Sequence, residues 1–118
     1  HTLTELPAEG TIEFEQKVLS KYPVMPAVEG AAFSTSFSHI FSGGYSAGYY
    51  SYKWAEVLEA DAFSLFKEQG IFNTEVSGSF RENILSKGGT EEASVLYRNF
   101  RGHDPEPQAL MEKLGLVK

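Results

Sequence analysis

Residues 46–69 read Ser46-Ala-Gly-Tyr-Tyr-Ser-Tyr-Lys-Trp54-Ala-Glu-Val-Leu-Glu-Ala-Asp61-Ala-Phe-Ser-Leu-Phe-Lys-Glu-Gln69. Tyr50, Trp54, Val57, Leu58 and Leu65 recur at helical spacing, so the stretch predicts one long helix with an apolar stripe, and Gly70 is a natural stop. Tyr45, Tyr49, Tyr52 and Glu56 follow the spacing i, i+4, i+7, i+11. At about 100° per residue they fall within roughly 60° of one another, nearly opposite the stripe. The predicted helix therefore has an oily face and a face of phenol hydroxyls with one carboxylate. Asp61 lies within the oily stripe, which predicts a buried carboxylate with a structural partner such as Arg81 or Arg101.

Outward from this helix, the chain reads as further helices separated by Gly- and Pro-marked loops. Period-two alternation is weak throughout, so the fold class is all-α. A first helix is predicted over Thr11–Ser20, with Thr11 as cap and Phe14 and Val18 on one face. Pro23 and Pro26 enforce an extended segment, and residues 21–44 carry few helix signals. A loop that long inside a domain is functional or packed on something else. Beyond Gly70, a helix after Asn73 or Ser77 takes in Phe80, Ile84 and Leu85, and Gly88-Gly89 breaks it. Thr90 is then expected to cap a helix whose first turn holds Glu91 and Glu92. Leu96 and Phe100 face its core, and Gly102 ends it. Asp104-Pro105 is expected to open a last helix carrying Leu110, Met111 and Leu114 and ending at Gly115. The domain reading is a helix plus a long extended, Gly-rich segment over 1–44 and a helical bundle over 45–118.

Composition limits the function classes. The 118 residues suffice for one modest core, and with 42% hydrophobic and 14% aromatic residues the chain should fold. The net charge is −6, and no basic patch offers a nucleic-acid surface. Having no cysteine excludes disulfides, thiolate metal sites and a cysteine nucleophile. No stretch approaches the roughly 20 apolar residues of a membrane span. The three histidines, His1, His39 and His103, are far apart, no His-Glu-x-x-His is present, and no metal ligand is assigned. A nucleophile elbow and a phosphate loop are also missing.

The densest chemistry lies between His39 and Glu56. Several tyrosines in a row suggest a place where a polar ligand supplies hydrogen-bond partners to the hydroxyls. Bonding to backbone carbonyls is the alternative for each tyrosine taken singly. Gly43-Gly44 permits positive φ and close approach of backbone to a ligand, or an ordinary turn.

The run His39-Ile-Phe-Ser-Gly-Gly-Tyr-Ser-Ala-Gly-Tyr-Tyr-Ser-Tyr-Lys-Trp54 closely resembles the C-terminal region of the thimet-oligopeptidase family of zinc peptidases, of oligopeptidase A and peptidyl-dipeptidase type. The likeness continues through Ala55-Glu-Val-Leu-Glu-Ala-Asp-Ala-Phe63, Phe80-Arg-Glu-Asn-Ile-Leu85, Phe100-Arg-Gly102 and Asp104-Pro105. It implies an irregular multi-helix, C-terminal part of a zincin-like, neurolysin-type catalytic domain. In such an enzyme, zinc sits on an upstream His-Glu-x-x-His helix and a further glutamate, none of them in this chain. By motif match, Tyr45 and Tyr52 would meet the substrate and the tetrahedral intermediate. His39 would contact substrate near the scissile bond. Gly43 and Gly44 would supply the mobile loop, and Tyr49 would line the same place.

The resemblance implies a substrate-binding, transition-state-stabilising fragment of a zinc-dependent enzyme that hydrolyses short peptides, inactive alone. Its partners would be peptide substrates and the remainder of the catalytic domain, with no nucleic acid and no membrane, and the fragment is expected to self-associate. The expected compartment is the cytoplasm, with the periplasm as the alternative. Peptidyl-dipeptidase is slightly favoured over oligopeptidase A. The competing reading is a stand-alone helical module that holds peptides without catalysis, which would have a polar exterior.

Overall fold

The computed structural model describes residues 3–22, 25, 26 and 28–117. Pro23, one of the two prolines expected to extend the chain, and His1 lie outside the described residues. All regular elements among the described residues are helical. The chain forms two compact units, His1–Tyr49 and Tyr50–Lys118. No described helix is long and apolar enough to cross a membrane.

In the first unit, α1 spans Thr11–Leu19 and α2 is a single turn, Phe33–Ser36. Thr11 is the first helical residue and not the cap. Gly10 holds that place, and no side chain bonds there. The tie between the two helices is Glu15, whose carboxylate accepts the backbone N–H of Phe33 at 2.7 Å and of Ser34 at 2.6 Å. Hydrogen bonds from Ser34 and then Phe33 hold this carboxyl below its usual range. Phe14 and Val18 do share a face, and with Phe33 and Phe37 they line an apolar groove of about 390 Å³. The segment expected to lack helix contains α2 and two further helical turns, Ser38–Ile40 and Ser42–Gly44. Side chains make these turns: Ser36, Ser42 and Ser46 hydroxyls bond back to the carbonyls of Phe33, Ser38 and Phe41. Among the described residues of this unit, none is buried.

The second unit holds the core. Helix α3 spans Ser51–Gln69 and stops at Gly70, whose φ of 107° no other residue adopts easily. It begins five residues later than the sequence pattern predicts. Gly44 at φ 85° and Ala47 at φ 57° break the backbone upstream, and residues 45–50 form turns. The stripe is also less buried than expected: Tyr50 is 71% and Trp54 56% exposed, while Ala60 and Asp61 are the buried residues of α3.

Asn73 caps α4, Thr74–Phe80, by accepting the N–H groups of Glu75 and Val76. A π-helical turn, Arg81–Leu85, follows, and Gly88 at φ 49° closes the segment. Helix α5 spans Ala93–Arg101 and ends on left-handed Gly102, whose N–H bonds to the Arg98 carbonyl. Thr90 does not cap α5. It closes a short helical turn, Gly88–Thr90, and the N-cap is Glu92, so Glu91 and Glu92 precede the first turn. Helix α6 spans Gln108–Lys113 after Pro107. Asp104 does not open it, because its carboxylate is taken by Arg98 Nε at 2.8 Å. Lys113 reaches Glu59 at 2.7 Å and ties α6 to α3.

Val76, Leu96, Phe100 and Leu110 are buried, and the rings of Phe66, Phe80 and Phe100 pack mutually at 5.1–6.2 Å. Within this oil sits one polar knot. Tyr97 donates its hydroxyl to Asp61 Oδ2 at 2.6 Å, and the Arg101 guanidinium lies 3.6 Å from Asp61 Oδ1. Arg101 also donates to the Asp61 carbonyl and the Ser64 hydroxyl. Burial, and then the adjacent Asp61 carboxylate, push the Tyr97 phenol well above its ordinary range. Arg101 is thus one of the two partners the sequence pattern names for Asp61.

Candidate functional site

The predicted row of tyrosines on one helix face does not form, because Tyr45 and Tyr49 precede α3. The turns nevertheless gather the rings. In the first unit, the His39 ring lies edge-on to Tyr45 at 4.6 Å and to Tyr49 at 5.5 Å, and the two tyrosine rings are 6.3 Å apart. Aromatic rings at such distances and tilts attract through their quadrupoles. Tyr45 and Tyr49 are half-buried, and His39 is exposed.

The backbone makes this cluster. Phe41 N–H bonds to the Ser38 carbonyl at 3.0 Å and Gly48 N–H to the Tyr45 carbonyl at 2.8 Å, which fold residues 38–48 into consecutive turns. Gly43 and Gly44 both have positive φ, 69° and 85°, and nothing lies within 4 Å of where a Gly44 side chain would start. Gly44 is therefore needed for its backbone conformation and not for space. Both glycines are exposed and immediately precede Tyr45.

Tyr52 belongs to the second unit, where it is the second residue of α3 and 41% exposed. There it shares a face with Glu56, as the spacing predicts, and Glu56 pairs with Lys53 at 2.8 Å.

Two residues escape the sequence reading. Phe37 stacks edge-on with Tyr49 at 4.9 Å and packs on Phe33 at the same distance, so it buttresses the cluster. Its signal is the spacing Phe33, Phe37, Phe41, one aromatic every four residues. Tyr97 is the hydroxyl partner of Asp61, and its signal is its place one turn before Arg101.

Among the described residues, no group of three or more His, Cys, Asp or Glu side chains could hold a metal ion. The Nδ1 of His103 lies 2.6 Å from the Asp104 carbonyl oxygen. The described residues thus do not form a zinc site.

The profile of peptidase family M3 matches residues 1–116. The chain belongs to peptidase family M3. Oligopeptidase A of Escherichia coli is 55% identical over 93 residues, covering 79% of this chain and 14% of that protein. The probable cytosolic oligopeptidase A of Arabidopsis thaliana is 46% identical over 114 residues, 93% of this chain and 16% of that protein. The dipeptidyl carboxypeptidase of Salmonella typhimurium is 40% identical over 118 residues, 98% of this chain and 17% of that protein. This M3 chain thus spans about one sixth of the length of the curated relatives it matches.

Proposed function

We propose that this chain is the substrate-contacting C-terminal part of an M3 metallopeptidase that hydrolyses short peptides. The observation that carries the reading is the cluster of His39, Tyr45 and Tyr49 directly after two glycines of positive φ. The cluster gathers two phenol rings and an imidazole ring beside those glycines. A phenol O–H aimed at a peptide carbonyl oxygen stabilises the negative charge that develops there more than it stabilises the neutral ground state. The Gly43-Gly44 turn lets such a donor close on bound substrate. Tyr45 and Tyr52 are the donors of this reading, and His39 and Tyr49 flank the peptide.

Zinc belongs to residues outside this chain, which is why the chain alone is expected to be inactive. The role given to His39, Tyr45, Tyr49 and Tyr52 needs only their own hydrogen-bonding groups. Higher identity to oligopeptidase A, 55% against 40% for the dipeptidyl carboxypeptidase, favours the oligopeptidase A type. Exposed Trp54, Ile71 and Phe72 weigh against a stand-alone module with a polar exterior.

Steady-state kinetics of the full-length enzyme test the reading through His39→Ala and Tyr45→Phe. His39→Ala is expected to raise KM, and Tyr45→Phe to lower kcat on the order of 100-fold, the usual loss for one such donor. Bound metal is expected to stay constant in both. Wild-type KM and kcat in the variants would overturn the assignment.

A further inference from the structure

Helix α2 is a single turn, Phe33–Ser36, and a helix that short does not hold itself. Its N-cap residue is Ala32, whose side chain has no acceptor for the first N–H groups. The acceptor comes from α1 instead. Glu15 takes the Phe33 N–H on one carboxylate oxygen at 2.7 Å and the Ser34 N–H on the other at 2.6 Å. These partners lie 18 and 19 residues from it in sequence, so the bonds fix the two helices to each other. Both are short and charge-assisted, the stronger kind of hydrogen bond.

What Glu15 fixes leads directly to the candidate site. The Phe33 ring lies 4.9 Å from that of Phe37, the C-cap of α2, and Phe37 lies edge-on to Tyr49 at 4.9 Å. His39 follows two residues later in the turn Ser38–Ile40, with its ring edge-on to both Tyr45 and Tyr49. Gly43 and Gly44, both of positive φ, stand in the chain between this clamped stretch and the two tyrosines. The clamp thus holds the near side of the glycines, and ring contacts carry its position to the far side.

We propose that Glu15 is a positioning residue for the His39, Tyr45 and Tyr49 cluster, acting through α2 and the Phe37 ring. Both of its oxygens are taken by α2, so its effect on a bound peptide passes through His39 and Tyr49. The effect on peptide binding rests on the proposed function, whereas the hold on the rings does not. Glu15→Gln keeps the size of the side chain but leaves one acceptor oxygen and turns an NH2 group toward the second N–H. One bond is lost and a donor then faces a donor.

Two measurements on the full-length M3 enzyme test the proposal. The first needs no activity: 3-fluorotyrosine is placed at position 49 and its fluorine resonance is recorded. Glu15→Gln is expected to move that resonance, and Lys17→Ala, which breaks an exposed pair with Glu9, is expected to leave it in place. The second is steady-state kinetics. Glu15→Gln is expected to raise KM about tenfold, the equivalent of one hydrogen bond to a charged group, with kcat within about twofold and Tm nearly unchanged. An unmoved resonance in Glu15→Gln, or an equal shift in Lys17→Ala, would overturn the proposal. So would a wild-type KM in Glu15→Gln where His39→Ala raises it. Wild-type kinetics in His39→Ala and Tyr45→Phe would sink the peptidase reading and leave the expected fluorine shift intact, so the two failures are distinguishable.

Discussion

The two units of this chain are held together in different ways. All seven residues that are buried among the described ones, from Ala60 to Leu110, lie in the second unit. The first unit buries none, holds its turns with serine hydroxyls and one glutamate, and carries both positive-φ glycines of the candidate site. Segments that move onto a ligand are generally drawn from weakly packed parts of a protein. The polar knot of the second unit and the ring cluster of the first are both aromatic and polar. The knot is sealed in a core, whereas the ring cluster is half open.

Breaking the scaffold should give the largest effects. Asp61→Ala removes the carboxylate that accepts the Tyr97 hydroxyl and faces the Arg101 guanidinium. Removal of one partner from a buried pair costs about 3–5 kcal/mol, and urea unfolding followed through Trp54 fluorescence measures it. Tyr97→Phe is smaller, about 1.5–3 kcal/mol for a hydrogen bond to a charged group.

Tyr97→Phe should also change the pH profile. The native phenol keeps its proton to higher pH than the ordinary value of about 10. Above about pH 10 the unfolded chain therefore loses a proton that the native chain retains, and stability falls as pH rises. The phenylalanine variant should show a flatter fall in that window under alkaline titration.

On the other side of the comparison, Gly44→Ala places a Cβ at φ 85°, where left-handed strain costs about 1–2 kcal/mol. Because the scaffold is untouched, the full-length enzyme should lose about tenfold in kcat/KM with its Tm nearly unchanged. The smallest effect is expected for Lys53→Ala. Its pair with Glu56 is exposed at 73% and 41%, and the change in unfolding free energy should stay below about 0.5 kcal/mol.

The legible parts of the fold were those with one dominant local cause. Gly70 and Gly102 stop helices because each sits at positive φ, and Asn73 caps because its side chain reaches two free N–H groups. Asp61 announces its burial by standing in an apolar stripe. The parts that misled were those where tertiary partners compete with a local signal. Asp104-Pro105 resembles a helix start, but Arg98 claims the carboxylate. Tyr45 and Tyr49 keep perfect helical spacing, yet Gly44 and Ala47 turn the backbone before a helix can form. His39, Tyr45 and Tyr49 are still brought together, by turns instead of a helix face. The nearness of these three residues was thus readable from the sequence, and its geometry was not. Phe37, which supports it, carries no polar atom on its side chain to draw attention.

The most direct test sets Tyr45→Phe against Phe100→Ala in the full-length enzyme, with kcat and Tm measured for each. The account predicts a crossed result. Tyr45→Phe should lose kcat on the order of 100-fold and keep its Tm. Phe100→Ala should lose about 3–5 kcal/mol of stability and keep kcat well below its Tm. A Tyr45→Phe enzyme with wild-type kcat, or one whose loss follows its Tm, would contradict the division of labour between the two units.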